Sequence, residues 1–251
     1  MTIKVVTIIS IIMERKVFLK SLIIGALSAP AIIEGCKKSS STVDDPSGTG
    51  TVTNSGTGNT SCTVAPTETE GPFPTKAPSS YSRSDITDGR TGYPLTSKIT
   101  INTASNCAAL AGAIVDIWHC DAEGNYSEYG GTGMQATNYQ SVHFLRGRQV
   151  TDANGLVTFT SIFPGWYSGR ATHIHVHVYT AAGNSLKITQ IAFPEGSGAA
   201  VTLVNGYKKG MSGYTYNAND NVFSDDTLKI EVASVTGSLT EGFALTMKVN
   251  V

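Results

Sequence analysis

GRATHIHVHV, residues 169–178, sets His173, His175 and His177 at every second position. Alternate side chains of a β-strand leave on the same face, so the three imidazoles point one way. The chain has only two other histidines, His119 and His143. Three imidazoles on one face suit ordinary packing poorly and suit a metal ion well. A single HxH pair reads equally as a metal site or as polar residues on a half-exposed strand, so the surroundings have to decide.

Those surroundings are rich in strand signals. From residue 97 onward, SKITINTA, AIVDIWHC, LVTFTSIF, THIHVHVYT, LKITQIAF, TLKIEVASV and FALTMKVNV alternate with turn clusters such as DAEGN, DANG, PGW and AAGN. No long helical period competes and no internal repeat is present. The reading is an all-β fold, an antiparallel β-sandwich with irregular loop excursions. DANG (Asp152 to Gly155) predicts a hairpin. Residues 196–226, rich in Gly, Asn and Tyr, predict a short helix or an irregular excursion. A charged fraction of 15% and 26 glycines fit a turn-rich β protein. Lys plus Arg total 18 against 19 Asp plus Glu, without a basic stripe, so nothing points to nucleic acid and none is expected as a partner.

The N-terminus reads as an address. From Met13, MERKVFLKSLIIGALSAPAIIEGC runs from a basic start through an apolar stretch to small residues and Cys36. This is the order of a secretory signal peptide, and IIEGC resembles a bacterial lipobox. An uncleaved membrane anchor is the rival reading. Residues 1–36 are therefore expected to be a signal peptide and lipobox segment. Residues 37–61 are expected to be a Ser/Thr/Gly-rich tether, and residues 62–251 the folded domain. The domain is expected to be exported, periplasmic or at the cell surface, touching a membrane only through a lipid anchor at Cys36. Cys62, Cys107 and Cys120 then remain, an odd number. Cys62 and Cys107 suit a surface staple and Cys120 a buried free thiol, although spacing alone leaves the pairing open.

Around the HxH strand lie DIWHCDAEGNYSEYG, with Tyr126 at the exit of its turn, and IFPGWYSGRATHIH, with Tyr167 and Arg170. Together with TEGPF (Thr69 to Phe73), FLRGRQVTDANG and TQIAF (Thr189 to Phe193), in that order, these segments resemble the intradiol ring-cleavage dioxygenases. That is the family of catechol 1,2-dioxygenase and protocatechuate 3,4-dioxygenase. The resemblance implies a non-haem ferric ion, Fe(III), held by Tyr126, Tyr167, His173 and His175 with a solvent-derived ligand. It implies a catechol derivative and O2 as substrates, cleavage between the two hydroxyl-bearing carbons, and a cis,cis-muconate-type diacid as product. Tyr167 is then the tyrosinate that leaves as the catechol binds and takes up a proton. Arg170 stabilises negative charge on the bound ring, and Gln190 lies near the iron. His177 has no family role and is read as structural. Trp118 reads as packing beneath the site, His119 as a satisfied residue facing away, and Asp121 as a group that orients a ligand. Arg146 and Arg148 read as loop or interface charges.

The donor types agree with the implied metal. Two phenolates are hard anionic ligands that favour Fe(III), and the absence of a carboxylate argues against the ferrous two-histidine, one-carboxylate pattern. A three-histidine zinc or copper site using His177, and a non-catalytic transthyretin-like binding module, are the competing readings. Only Ser168 and Gly169 separate PGWY from Arg170, where cytoplasmic members of the family carry a longer stretch. A helical N-terminal dimerisation segment is not evident. Both departures point to an open site that accepts substituted or larger catechols.

Overall fold

The computed structural model describes residues 62–251, and within them eight strands form two four-stranded sheets. The strands are β1 (Pro94–Asn102), β2 (Ile114–Trp118), β3 (Arg146–Val150), β4 (Leu156–Ile162), β5 (His173–Tyr179), β6 (Ser185–Ala192), β7 (Ser234–Ser238) and β8 (Gly242–Asn250). One sheet has the order β4-β1-β8-β7 and the other β3-β2-β5-β6. Every strand pairing is antiparallel except that of β1 with β8, which is parallel. The segments at residues 1–36 and 37–61 lie outside the described residues.

Period-two patterning builds the space between the sheets. Leu95, Ile99 and Ile101 of β1, Val157 and Phe159 of β4, and Leu245, Met247 and Val249 of β8 face Val115 and Ile117 of β2 and Ile174, Val176 and Val178 of β5. All are almost completely buried, which makes this cluster the main source of hydrophobic stabilisation. The disulfide Cys62–Cys107 ties the start of the domain to the turn after β1, and Cys120 is a buried free thiol. Residues 196–226 carry one short helix, α1 (Ala200–Val204), and two 3-10 turns, which fits the irregular excursion read from the sequence.

Three expectations need correction. DANG is a tight turn, with the Asp152 carboxylate accepting from the N–H groups of Asn154 and Leu156. It does not close a hairpin, because β3 pairs with β2 and β4 with β1, so the turn carries the chain from one sheet to the other. TLKIEVASV is not a single strand. The Asp226 carboxylate captures the N–H groups of Ile230 and Glu231, and regular pairing starts only at Ser234. Arg146 and Arg148 are strand residues of β3, not loop or interface charges. Arg148 makes a bidentate pair with the buried Asp116 of β2, and Arg146 is fully buried.

Arg148 stays partly exposed, whereas Arg146 is buried because chain lies over the outer face of the second sheet. Residues 68–76 cross it as a strap. Glu68 N–H donates to Ile188 O of β6, and Thr69 O accepts from the Gln190 side chain. Gly71 lies on the His175 ring, where a Cβ would come 3.1 Å from Cε1 in a backbone already at φ +68°. Arg146 clasps the strap to the loop after Tyr126. It donates to Phe73 O at 3.0 Å, Thr75 Oγ1 at 3.1 Å, Ser127 Oγ at 2.9 Å and Ser127 O at 2.6 Å, with Glu128 at 3.5 Å.

At the edge of β6, Glu231 is 1% exposed. Oε1 accepts from Thr189 Oγ1, and Oε2 has no partner among the described residues. Burial first, and then the charges of Glu68 and Asp226, push this carboxyl up to about 8.

Two outcomes follow from these buried charges. Arg146→Met, which removes a buried charge paired with Glu128 and leaves the Phe73 and Ser127 carbonyls without their donor, costs about 3–5 kcal/mol in denaturant unfolding. The folded domain holds the Glu231 proton more tightly than the unfolded chain, so this group's contribution to stability is lost as pH rises from the unfolded value, 4.5, through about 8. Glu231→Gln is therefore expected to unfold at higher denaturant than wild type at pH 8, by roughly 2–4 kcal/mol, and to differ little at pH 4.

Candidate metal centre

The site grows from the outer face of β5. Its core-facing residues are apolar, yet His173, His175 and His177 on the other face are also buried, because the strap and the loop following β2 cover them. That loop delivers Tyr126. Asp121 closes its turn by accepting from the N–H groups of Glu123 and Asn125, so it shapes the backbone and contacts no candidate ligand. Gly124 is required at φ +89°, since a Cβ there would come 2.3 Å from Trp166 O in the PGWY segment. Gln135 then clamps both backbone polar groups of Tyr126, accepting from N–H at 2.6 Å and donating to the carbonyl at 2.8 Å. The Tyr126 ring stacks on Phe73, with centroids 4.8 Å apart.

Three donor atoms converge. Tyr126 Oη lies 3.1 Å from His173 Nε2, and His175 Nε2 lies 3.1 Å from the same nitrogen. His173 Nδ1–H donates to Ala171 O at 2.7 Å, which leaves Nε2 as the bare nitrogen turned toward the other two atoms. His175 lies flat on Trp118 at 4.8 Å, and its Nδ1 is buried without a partner among the described residues. Either tautomer of His175 leaves a buried polar atom unmet. A cation at the point of convergence would take up both Nε2 lone pairs and the phenol oxygen, so the residues present fit a metal ion.

Protonation agrees. Burial, then the Arg170 charge, lowers His173 to about 3, and burial with the neighbouring His173 holds His175 well below its ordinary value. Both imidazoles are neutral, the form that ligates. Burial pushes the Tyr126 phenol well above its ordinary value, so ionising it demands a positive charge close by.

Tyr167 stands one ring away. It packs edge-on against Phe73 at 5.3 Å and Tyr126 at 6.1 Å, while Oη is 3.4 Å from the carbonyl of the exposed Met134. The structure thus brings Tyr126, His173 and His175 together and leaves the Tyr167 hydroxyl at the rim. Arg170 donates from Nη2 to Gln190 Oε1 at 2.8 Å, and Gln190 Nε2 donates to Thr69 O. The two therefore form one unit beside the imidazoles, tied to the strap.

His177 belongs to a different network. Nδ1 faces Glu70 Oε1 at 3.1 Å and Tyr179 Oη at 2.8 Å, and Nε2 faces Ser185 Oγ at 2.8 Å. Both nitrogens are engaged, which fits the structural reading. His119 turns away from the site and is satisfied by Cys120 O and Ser161 Oγ. Sequence reasoning missed Gln135, the strap as a cover, and Asp220, which is fully buried and accepts from Arg170 Nε at 2.9 Å and Ala171 N–H at 2.7 Å. Of these, only the strap carried a signal, the TEGPF segment.

Comparison with known proteins identifies the family. A family profile described as Dioxygenase matches residues 77–233. Among solved structures, an intradiol ring-cleavage dioxygenase from Tetranychus urticae superposes with a TM-score of 0.66 at 30% identity, over 75% of this chain and 94% of that one. The dioxygenase domain of a dioxygenase carbohydrate-binding protein fusion from the cellulolytic bacterium Streptomyces sp. SirexAA-E gives 0.53 at 26% identity, over 75% and 98%. A chlorocatechol 1,2-dioxygenase from Rhodococcus opacus is 31% identical over 103 residues, covering 34% of this chain and 37% of that enzyme's length. The profile match spans more than half of the chain and the sheets superpose on solved members: this chain belongs to the intradiol ring-cleavage dioxygenase family.

Proposed function

We propose that the protein is a non-haem Fe(III) dioxygenase that cleaves a catechol-type ring between its two hydroxyl-bearing carbons, with both atoms of O2 entering a cis,cis-muconate-type diacid. One observation carries this reading: the convergence of Tyr126 Oη with His173 Nε2 and His175 Nε2, each contact 3.1 Å, in a buried site where both histidines are neutral. Tyr126, His173 and His175, joined by Tyr167, are the proposed ligands. Family membership and the chlorocatechol-named relative support the catechol class.

Bound Fe(III) would supply Lewis acidity toward the catechol oxygens and an electron sink for the ring. The protein's own groups do the rest. Tyr126, clamped by Gln135 and stacked on Phe73, is the fixed phenolate. Tyr167, whose hydroxyl makes one long contact at the rim, is free to swing and to accept a substrate proton on Oη. Arg170 and Gln190 place a fixed positive charge and an amide beside the imidazoles, where charge builds on the substrate. The short Ser168–Gly169 link leaves that rim open, which favours substituted or larger catechols. Export is also proposed, supported by the leader-like N-terminus and by a disulfide that belongs in an oxidising compartment. A lipid anchor at Cys36 is part of that proposal.

The His177 contacts set this reading against a three-histidine zinc or copper site. The purified protein, loaded with ferric iron, is expected to show a broad tyrosinate-to-iron band in the visible that shifts when catechol is added. Tyr126→Phe and His175→Ala should lose iron and at least ~100-fold in turnover. His177→Asn should keep the band and turn over within about 3-fold of wild type. A colourless protein that takes up zinc and loses it in His177→Asn would overturn the assignment.

A further inference from the structure

Asp220 sits in the irregular stretch before β7, between the 3-10 turn Asn217–Asn219 and the residues that enter β7, and has no solvent exposure. Burying a carboxylate is costly unless its oxygens are fully used. Here they are. Oδ1 accepts from Val222 N–H at 2.8 Å and Phe223 N–H at 3.4 Å, which fixes Asp220 in its own turn. Oδ2 accepts from Arg170 Nε at 2.9 Å and from Ala171 N–H at 2.7 Å. The same Ala171 residue offers its carbonyl to His173 Nδ1–H at 2.7 Å. One carboxylate oxygen therefore holds the arginine beside the site and the residue that sets the tautomer of a candidate ligand.

We infer that Asp220 is a positioning residue of the reaction: it fixes the Arg170 guanidinium and, through the Ala171 backbone, the orientation of His173. The inference rests on the iron dioxygenase reading given above. Arg170 is gripped on two sides, by Asp220 at Nε and by Gln190 at Nη2, while Nη1 makes no hydrogen bond to another described residue. A guanidinium held at two of its three nitrogens presents the third in a fixed direction. Preorganisation of that kind matters because an arginine free to rotate must be reordered in every turnover. The pair is also nearly dry: the Arg170 side chain is 13% exposed and that of Asp220 0%. A carboxylate there moderates a full positive charge next to two neutral imidazoles. Phe223, which follows Asp220 in its turn, closes the same corner, with its ring 5.6 Å from the guanidinium and 6.3 Å from the His173 ring.

The test is a double-mutant cycle in the full-length protein, with wild type, Asp220→Asn, Arg170→Ala and the double variant, and Asp220→Ala alongside. Asp220→Asn keeps one acceptor oxygen but removes the negative charge that pairs with Arg170. It is expected to bind ferric ion at wild-type stoichiometry with an unchanged visible band, while kcat falls about 10–100-fold and KM changes less than about 3-fold. In the Arg170→Ala background the same substitution should cost less than about 2-fold, because the group it acts through is gone. Asp220→Ala also frees Ala171 N–H, so ferric affinity, measured by metal titration without substrate, should weaken about 10-fold. Equal losses in both backgrounds, or wild-type kcat and ferric affinity in both Asp220 variants, would overturn the inference. So would loss of the β-sheet circular dichroism in Asp220→Asn, which would make the residue a scaffold alone. If wild type itself shows no iron band and no ring cleavage, the dioxygenase reading fails and takes this inference with it. An active wild type beside indifferent variants sinks the inference alone.

Discussion

Strand β5 must be buried on both faces, and much of the second sheet is arranged to satisfy that requirement. Ile174, Val176 and Val178 need the space between the sheets, whereas His173 and His175 need a dry outer face. Sandwich sheets commonly leave the outer face to water. Here a strap, a loop and the turn around Asp220 close over it instead. Closure brings its own requirement, because each polar group trapped beneath must find a partner. Arg146, Gln135, Gln190 and Asp220 are the partners, and each ties a covering segment to the sheet or to the loop that carries Tyr126. Two buried atoms at the centre, His175 Nδ1 and Trp118 Nε1, stay unpartnered among the described residues.

Neutral histidines and a phenol that resists ionisation have the same cause, removal from water. Such a site offers two lone pairs freely and yields an anionic oxygen only to a cation. The donor set and its burial together therefore favour a highly charged ion that binds phenolate. The partition of roles proposed for the two tyrosines rests on packing. Tyr126 is stacked and clamped along its backbone, and Tyr167 rests by its edge with its hydroxyl at the rim.

Much of this was legible in the sequence, for identifiable reasons. β1, β2, β4, β5, β6 and β8 announce themselves by alternation, because one face of each meets the core. The HxH spacing puts the candidate histidines on one face, and the two tyrosines were legible only through the resemblance of DAEGNY and PGWY to segments of the family. What stayed hidden depends on contacts distant in the chain. Arg146 looks like a solvent charge in FLRGRQ, since nothing local reveals that residues 68–76 will cover it. Asp220 lies 49 residues from the backbone group it binds, in a stretch with no period at all. DANG has the chemistry of a tight turn, and turn chemistry does not say whether the two arms pair with each other or with different sheets. Asp226 likewise ends a promising β pattern by capturing two N–H groups four and five residues ahead.

The disulfide has a mechanical meaning. Cys62 is bonded to Cys107, and just after it Ala65 N–H and the Thr63 carbonyl are held by Asn250 at the end of β8. A pull applied upstream of Cys62 is therefore carried across into the first sheet before it reaches Glu68. The segment lying on His175 is shielded from that load. A domain fastened at its N-terminal side can be tugged or sheared without lifting the cover from its chemistry.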